Sequence, residues 1–242
     1  ALHIAEDPQQ PATALYLGSR LLGNAPVVPF VRDVAADGDF VTGQLVRSAP
    51  EAEARAWAWE FTTLDLRLSL KVQTGAECIR MNGILEDLRG IDRAVTAYVP
   101  IPLGEADWTW WRDMRQSAPA QSGVFMNAYR TNAGAVGQSS SYPFAALTSP
   151  SDGIALATPL TNPRHCRLVY DADMRLLFAA FDLGLAPDTA KFPQSATFEA
   201  LLYSFDPEWG FRTALERYYA LFPESFVKRV DREGLWVAFT DV

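Results

Sequence analysis

Few residues in this 242-residue chain have the types and spacing for chemistry. Three of its seven tryptophans, Trp108, Trp110 and Trp111, fall within four positions in "DWTWWRDMR". Ring faces at that density suit a flat ligand such as a sugar, whose C–H faces stack on aromatic rings and whose hydroxyls need fixed hydrogen-bond partners. Arg112, Asp113, Arg115, Asn127, Arg130 and Asn132 can supply such partners. They lie within segment 112–141, which is rich in Ser, Asn, Gln and Gly. That segment reads as a long loop, and long loops in compact domains often carry function. Trp108, Trp110, Trp111, Arg112, Asn127 and Arg130 are therefore candidate carbohydrate-binding residues. The competing reading is packing. Trp108 and Trp111, three apart, would share the inner side of one helical turn and plug the edge of a core, tryptophan being highly buried on average. Packing is the favoured reading of the two.

Acid–base chemistry is harder to assemble. Hydrolysis of a glycosidic bond usually needs two carboxyl groups about 5–10 Å apart. Glu86, Asp87 and Asp92 in "NGILEDLRGIDR" are candidates, but beside Arg89 and Arg93 they read more simply as a solvated turn. Sugar epimerisation would need a general acid and base, commonly His with Glu or Asp. His165 in "NPRHCRL" is the one interior histidine, and His3 lies at the terminus. Two histidines exclude a His-rich metal site. Cys78 and Cys166 lack zinc-site spacing and sit in apolar, strand-like contexts, so two free buried thiols are favoured over a disulfide. Neither a G-x-S-x-G elbow, a P-loop nor a G-x-G-x-x-G fingerprint occurs. "GAVGQSSS" at 134–141 reads as a flexible loop. We assign no catalytic residue, no metal and no cofactor from the sequence.

The elements that must hold these residues are mainly strands. "FTTLDLRLSLKVQT" alternates from Leu64 to Val72, the mark of a long half-buried antiparallel strand. "AECIRMNGILEDL" follows, with Gly75 at the turn. In "DRAVTAYVPIPL", Val95, Ala97 and Val99 alternate before Pro100 and Pro102, which are expected to end the strand. "PFAALTS", "GIALATPL", "CRLVYD", "RLLFAAFDLGL" and "ATFEALLYSFD" are further strands, divided by turn dipeptides. "EAEARAWAWE" is open to helix or strand, and the alternation of Trp57 and Trp59 favours a strand from near Ala56. A dozen or more short strands imply a large two-sheet antiparallel sandwich. One helix interrupts them: Phe211, Leu215, Tyr218, Tyr219 and Phe222 recur at helical spacing, with Asp206 as cap and Pro223 as stop, predicting about four turns. "GLWVAFTDV" reads as a strand apolar on both faces, typical of a parallel strand covered by helices. Without a crossover after it, it is expected to be the first strand of a further domain.

A net charge of -8 and no Lys/Arg run argue against nucleic acid and anionic membrane surfaces. No apolar stretch approaches the ~18 residues of a membrane span. "ALHIAEDPQQ" does not read as a signal peptide. The compartment stays unassigned beyond a soluble chain.

The phrases "DRAVTAYVPIPL…DWTWWRDMR", "SSSYPFAALTSPSDGIALATPL", "FDLGLAPDTAKFP" and "DPEWGFRTALERYYALFPESF" resemble a family of large bacterial glycoside hydrolases, over most of residues 60–242. In that family an N-terminal β-supersandwich, galactose mutarotase-like, precedes a (β/α)8 barrel. The resemblance implies a supersandwich at 1–205, a helical linker at 206–230 and the first strand of the downstream domain at 231–242. Asp241, at the end of that strand, joins the carbohydrate-binding candidates. It also implies that glycosidic chemistry belongs to a catalytic domain which this chain lacks and which is its partner alongside carbohydrate. The expected function is a non-catalytic, supporting β-sandwich module. A self-sufficient carbohydrate-binding module and a mutarotase-like epimerase are the alternatives.

Overall fold

A computed structural model describes residues 2–7, 10–51, 54–190 and 194–229. Among these residues twenty strands precede one α-helix: β1 (Leu2–Asp7), β2 (Gln10–Leu17), β3 (Arg20–Pro26), β4 (Phe30–Asp33), β5 (Phe40–Thr42), β6 (Gln44–Glu51), β7 (Ala54–Phe61), β8 (Leu66–Thr74), β9 (Ile79–Asp87) and β10 (Arg93–Pro102). The second half continues with β11 (Thr109–Trp111), β12 (Ser117–Pro119), β13 (Val124–Met126), β14 (Ala128–Arg130), β15 (Gln138–Ser140), β16 (Phe144–Thr148), β17 (Gly153–Ala157), β18 (Cys166–Asp171), β19 (Leu176–Leu185), β20 (Ser195–Phe205) and α1 (Phe211–Leu221). Two large antiparallel sheets form a supersandwich. A nine-stranded sheet runs β12-β11-β16-β17-β20-β9-β8-β7-β6, and a six-stranded sheet runs β13-β18-β19-β10-β4-β5. A β1-β2-β3 meander and the β14-β15 hairpin complete it.

The pleat sorts each strand by face. Leu66, Leu68, Leu70 and Val72 of β8 are buried, while Arg67, Ser69 and Lys71 point away. Val95, Ala97 and Val99 of β10 do the same against Leu183, Phe181 and Ala179 of β19. The sheets meet where Phe181 stacks on Phe198 of β20, ring centroids 4.5 Å apart. Each fully buried side chain of this size contributes about 1.5–3 kcal/mol.

A second core lies on the outer side of the nine-stranded sheet. Phe144, Ala146, Ala155, Ala157, Leu201 and Tyr203 are covered there by Phe211, Ala214 and Tyr218 of α1. Strands β16 and β17 are thus buried on both faces, which is why their sequences do not alternate. Tyr203 donates its hydroxyl to the Ala214 carbonyl at 3.0 Å, and Tyr218 to that of Thr158 at 2.7 Å. Tyrosine is tolerated in this core because each hydroxyl finds an acceptor.

Four local expectations change. Strand β10 runs through Pro100 to Pro102. Its even-numbered residues aim their main-chain polar groups at the β4 edge, where the Ala94 carbonyl accepts from Val34 N–H at 2.7 Å. β4 pairs no further than Tyr98, so the missing proline N–H groups leave no gap in the ladder. The four-turn helix is split: Asp206 caps a short 3₁₀ turn, Pro207–Trp209, and Gly210 separates it from the eleven-residue α1. Segment 112–141 is not one loop but a series of three-residue strands. Trp111 belongs to a strand, not a helical turn. The "EAEARAWAWE" ambiguity resolves to a strand beginning at Ala54. The expected strand Leu235–Phe239 lies outside the described residues.

Candidate functional site

The tryptophans divide between the two cores. In β11, Trp110 pairs with Leu147 and faces the sandwich interior, 1% exposed. Trp111 pairs with Ala146 and faces outward, against the core under α1. Trp108 precedes the strand and is 3% exposed, its Nε1 donating to the Gly104 carbonyl at 3.2 Å. Trp108 and Trp110 therefore present no ring face to solvent, and the three do not form one platform. Asn127 is already engaged: its Oδ1 accepts from Trp110 Nε1 at 2.9 Å and its Nδ2 donates to the Trp111 carbonyl at 2.8 Å. Arg112 and Arg130 are exposed, on β11's following turn and on β14 respectively. Asp241 lies outside the described residues. The turn after β9 is not simply solvated. Asp87 is 4% exposed, accepts from Ile91 N–H at 2.8 Å and pairs with the buried Arg93 at 3.2 Å. It is a loop-folding carboxylate. Cys78 and Cys166 are free and buried.

The most concentrated chemistry sits on the outer face of the six-stranded sheet. Register places Thr96 opposite Asp182, and Tyr98 opposite Ala180, on the face away from the core. Arg167 of β18 joins them, also opposite Ala180. Its guanidinium holds Asp182 bidentately, Nη1 to Oδ2 at 2.5 Å and Nη2 to Oδ1 at 2.8 Å. Thr96 Oγ1 donates to Oδ1 at 2.8 Å, and Ala135 N–H to Oδ2 at 2.8 Å. Burial opposes the Asp182 charge, but these hydrogen bonds and the Arg167 cation outweigh it and hold the carboxyl below its ordinary range. Burial likewise works against charged Arg167, and Asp182 and Tyr98 more than restore it. His165 Nε2 lies 3.8 Å from Asp182 Oδ2, buried and without a hydrogen-bond partner. Gly134, at φ +79, passes so close that a Cβ there would overlap the imidazole.

The β14-β15 hairpin stands on this face like a wall. Ser140 Oγ accepts from Leu168 N–H at 2.8 Å, and Ser139 Oγ donates to the Cys166 carbonyl at 3.2 Å. Between its tip at Ala133–Ala135 and Val34 lies a groove of about 370 Å³, floored by Ala94 and Gly184 and ended by His165 and Asp182. Along the same strands an aromatic cluster follows. Phe30 stacks on Tyr98 at 4.5 Å, and Phe40 and Phe178 meet Tyr98 at 5.4 and 5.9 Å. The Arg32 guanidinium sits 6.0 Å from the Phe40 ring centre and pairs with Asp37 at 2.6 Å. Four donated hydrogen bonds keep Asp182 ionised and leave it ill-suited to move a proton. Among the described residues no group of three or more His, Cys, Asp and Glu is placed to hold a metal ion. No helix among them is long and apolar enough to cross a membrane. Of this trough, sequence reasoning singled out His165 alone. The available signal was polar Thr96, Arg167 and Asp182 in alternate register within otherwise apolar strands.

No protein-family model and no curated protein sequence matches the chain. Solved structures similar to it include the GH36 alpha-galactosidase AgaA of Geobacillus stearothermophilus, at 16% identity and TM-score 0.46, covering 86% of this chain and 35% of that one. An alpha-galactosidase from Lactobacillus brevis matches at 14% identity and TM-score 0.46, covering 82% of this chain and 31% of that one. An Escherichia coli K12 protein described as a candidate aldose 1-epimerase matches at 12% identity and TM-score 0.48, covering 81% and 92%. The chain thus spans about a third of the length of these alpha-galactosidases.

Proposed function

We propose that this chain is a non-catalytic β-sandwich module of a carbohydrate-active protein, which packs against a catalytic domain carried on the same polypeptide. The division into a sandwich at 1–205, a linker at 206–230 and a downstream domain from 231 belongs to this reading. The observation that carries it is the two-sided character of the α1 region. One side is buried on the nine-stranded sheet. The other leaves Tyr219 at 43% and Phe226 at 42% exposure on a groove of about 340 Å³ lined also by Met114, Tyr142 and Leu215, with Trp209 at 59% in the turn before α1. Large apolar residues clustered in this way mark a surface that a neighbouring domain covers. Asp182, the best-placed carboxylate, is consumed by its own hydrogen bonds, which disfavours the epimerase reading.

The test has two parts. The isolated chain hydrolyses no aryl glycoside and does not accelerate anomer interconversion. It self-associates in analytical ultracentrifugation, and Trp209→Ser with Phe226→Ser lowers that association. Turnover of any glycoside by this chain alone overturns the reading.

A further inference from the structure

The trough on the six-stranded sheet faces away from α1 and has no part in that packing surface. We infer that it is a binding site for a neutral, polyhydroxylated ring, one or two sugar units long. Its carbohydrate class is shared with the proposed function; its location and residues stand independently of the packing role.

Gly184 sets the floor of the trough. Glycine within a strand costs roughly 0.5–1 kcal/mol relative to alanine, and its presence often marks the close approach of a ligand or another backbone. No atom lies within 4 Å of where a Cβ of Gly184 would sit, so nothing in the described chain makes that approach. The missing side chain leaves open space, and Ala94 opposite it adds only a methyl group. Together they leave a flat, apolar floor. Its volume of about 370 Å³ falls within the usual range for small-molecule sites.

The charges in the trough are already balanced. Arg167 is matched by Asp182, and Arg32 by Asp37. A trough whose ions are already paired offers little to an anion or a cation, and much to a neutral molecule. His165, with its side chain 24% exposed, stands at the rim beside the Ala133–Ala135 turn, whose Ala133 and Ala135 N–H groups are already donated to Thr131 and Asp182. Beyond the Thr96–Asp182 pair, on the same face of the sheet, the Phe30–Tyr98 stack and Phe40, 61% exposed, offer ring surface that a second sugar unit would reach. A ring with one apolar C–H face and hydroxyls at its edge matches floor and rim at once.

Saturation-transfer NMR with methyl glycosides of glucose, galactose and mannose and with their disaccharides tests the site, with the amides of 133–135, 165 and 184 followed in parallel. We expect at least one of these probes to bind and to shift those amides. Gly184→Leu fills the floor and weakens binding by at least about tenfold, and Phe40→Ala weakens disaccharide binding several-fold. Trp209→Ser, on the opposite side of the molecule, leaves binding unchanged. Phe40 is exposed, so its variant separates ligand loss from misfolding. Absence of transfer to every probe up to about 10 mM, or unchanged affinity in both Gly184→Leu and Phe40→Ala, overturns the inference. Neither outcome bears on the hydrolysis and association tests of the packing role.

Discussion

Replacing Gly210 with alanine tests how α1 is seated. Gly210 adopts φ 52, ψ -120, a region that side-chain-bearing residues essentially avoid. Holding a residue in such a region costs of order 1–3 kcal/mol. A Cβ there would also lie 2.1 Å from Cζ2 and 2.2 Å from Cε2 of the Trp111 indole, far inside contact distance. The indole is not free to yield, since its Nε1 donates to Thr148 Oγ1 at 2.9 Å. Overpacking of this kind costs a further ~1–3 kcal/mol. Gly210→Ala is therefore expected to lower unfolding free energy by about 4 kcal/mol in urea denaturation followed by circular dichroism. The two contributions separate in a double-mutant cycle. With Trp111→Ala the overlap disappears and only the backbone cost persists, so Gly210→Ala becomes cheaper by ~1–3 kcal/mol in that background. Additive effects of the two substitutions would refute the steric argument. A Gly210→Ala loss below about 0.5 kcal/mol would refute the whole account of this junction.

Three further outcomes are expected. Asp182→Ala strands the buried Arg167 cation and costs about 3–5 kcal/mol by denaturant titration. Because the folded carboxyl is held below its ordinary value of 3.8, its contribution to stability is complete above that value and is lost as pH falls below it; the variant should therefore show a shallower loss of stability in acid. Asn127→Ala leaves Trp110 Nε1 unpaired in the core and lowers stability by about 1–3 kcal/mol, with a blue shift or intensity change in tryptophan fluorescence. Cys78 and Cys166 react with a thiol reagent at pH 8 only after unfolding, since both are buried and burial pushes the Cys166 thiol up to about 11. Fewer than two thiols in denaturant would contradict the free-thiol assignment.

The sandwich was legible because its strands are written at period two. The alternation in β8 and the turn dipeptides after β16, β17 and β19 follow directly from a half-buried pleat. The apolar face of α1 was equally plain, but its break was not. Gly210 is needed because of Trp111, about a hundred residues earlier, and no local window contains both. That the tryptophans pack was legible, but their geometry was not: one shared helical turn was expected, whereas a pleat sends neighbours Trp110 and Trp111 to opposite faces. The trough was hidden most completely. Its floor consists of what Ala94 and Gly184 lack, and its walls come from β4 and the β14-β15 hairpin, joined only by tertiary structure. Asp182 and Arg167 did leave a trace, as charges in phase within apolar strands.

The order of strands in the two sheets also constrains how the molecule is made. β9 receives its second neighbour only from β20, and β10 its longest partner only from β19. Roughly 110–120 residues separate β9 from β20, so at typical rates of synthesis the leucine-rich β8-β9 pair waits of order ten seconds for its neighbour. During that interval the edge of β9 is open. A nascent chain cut off before Ser195 keeps the edge of β9 unpaired and open to aggregation. Pairing of β20 with β9 is therefore the step that joins the β6–β9 part of the nine-stranded sheet to β11, β12, β16 and β17.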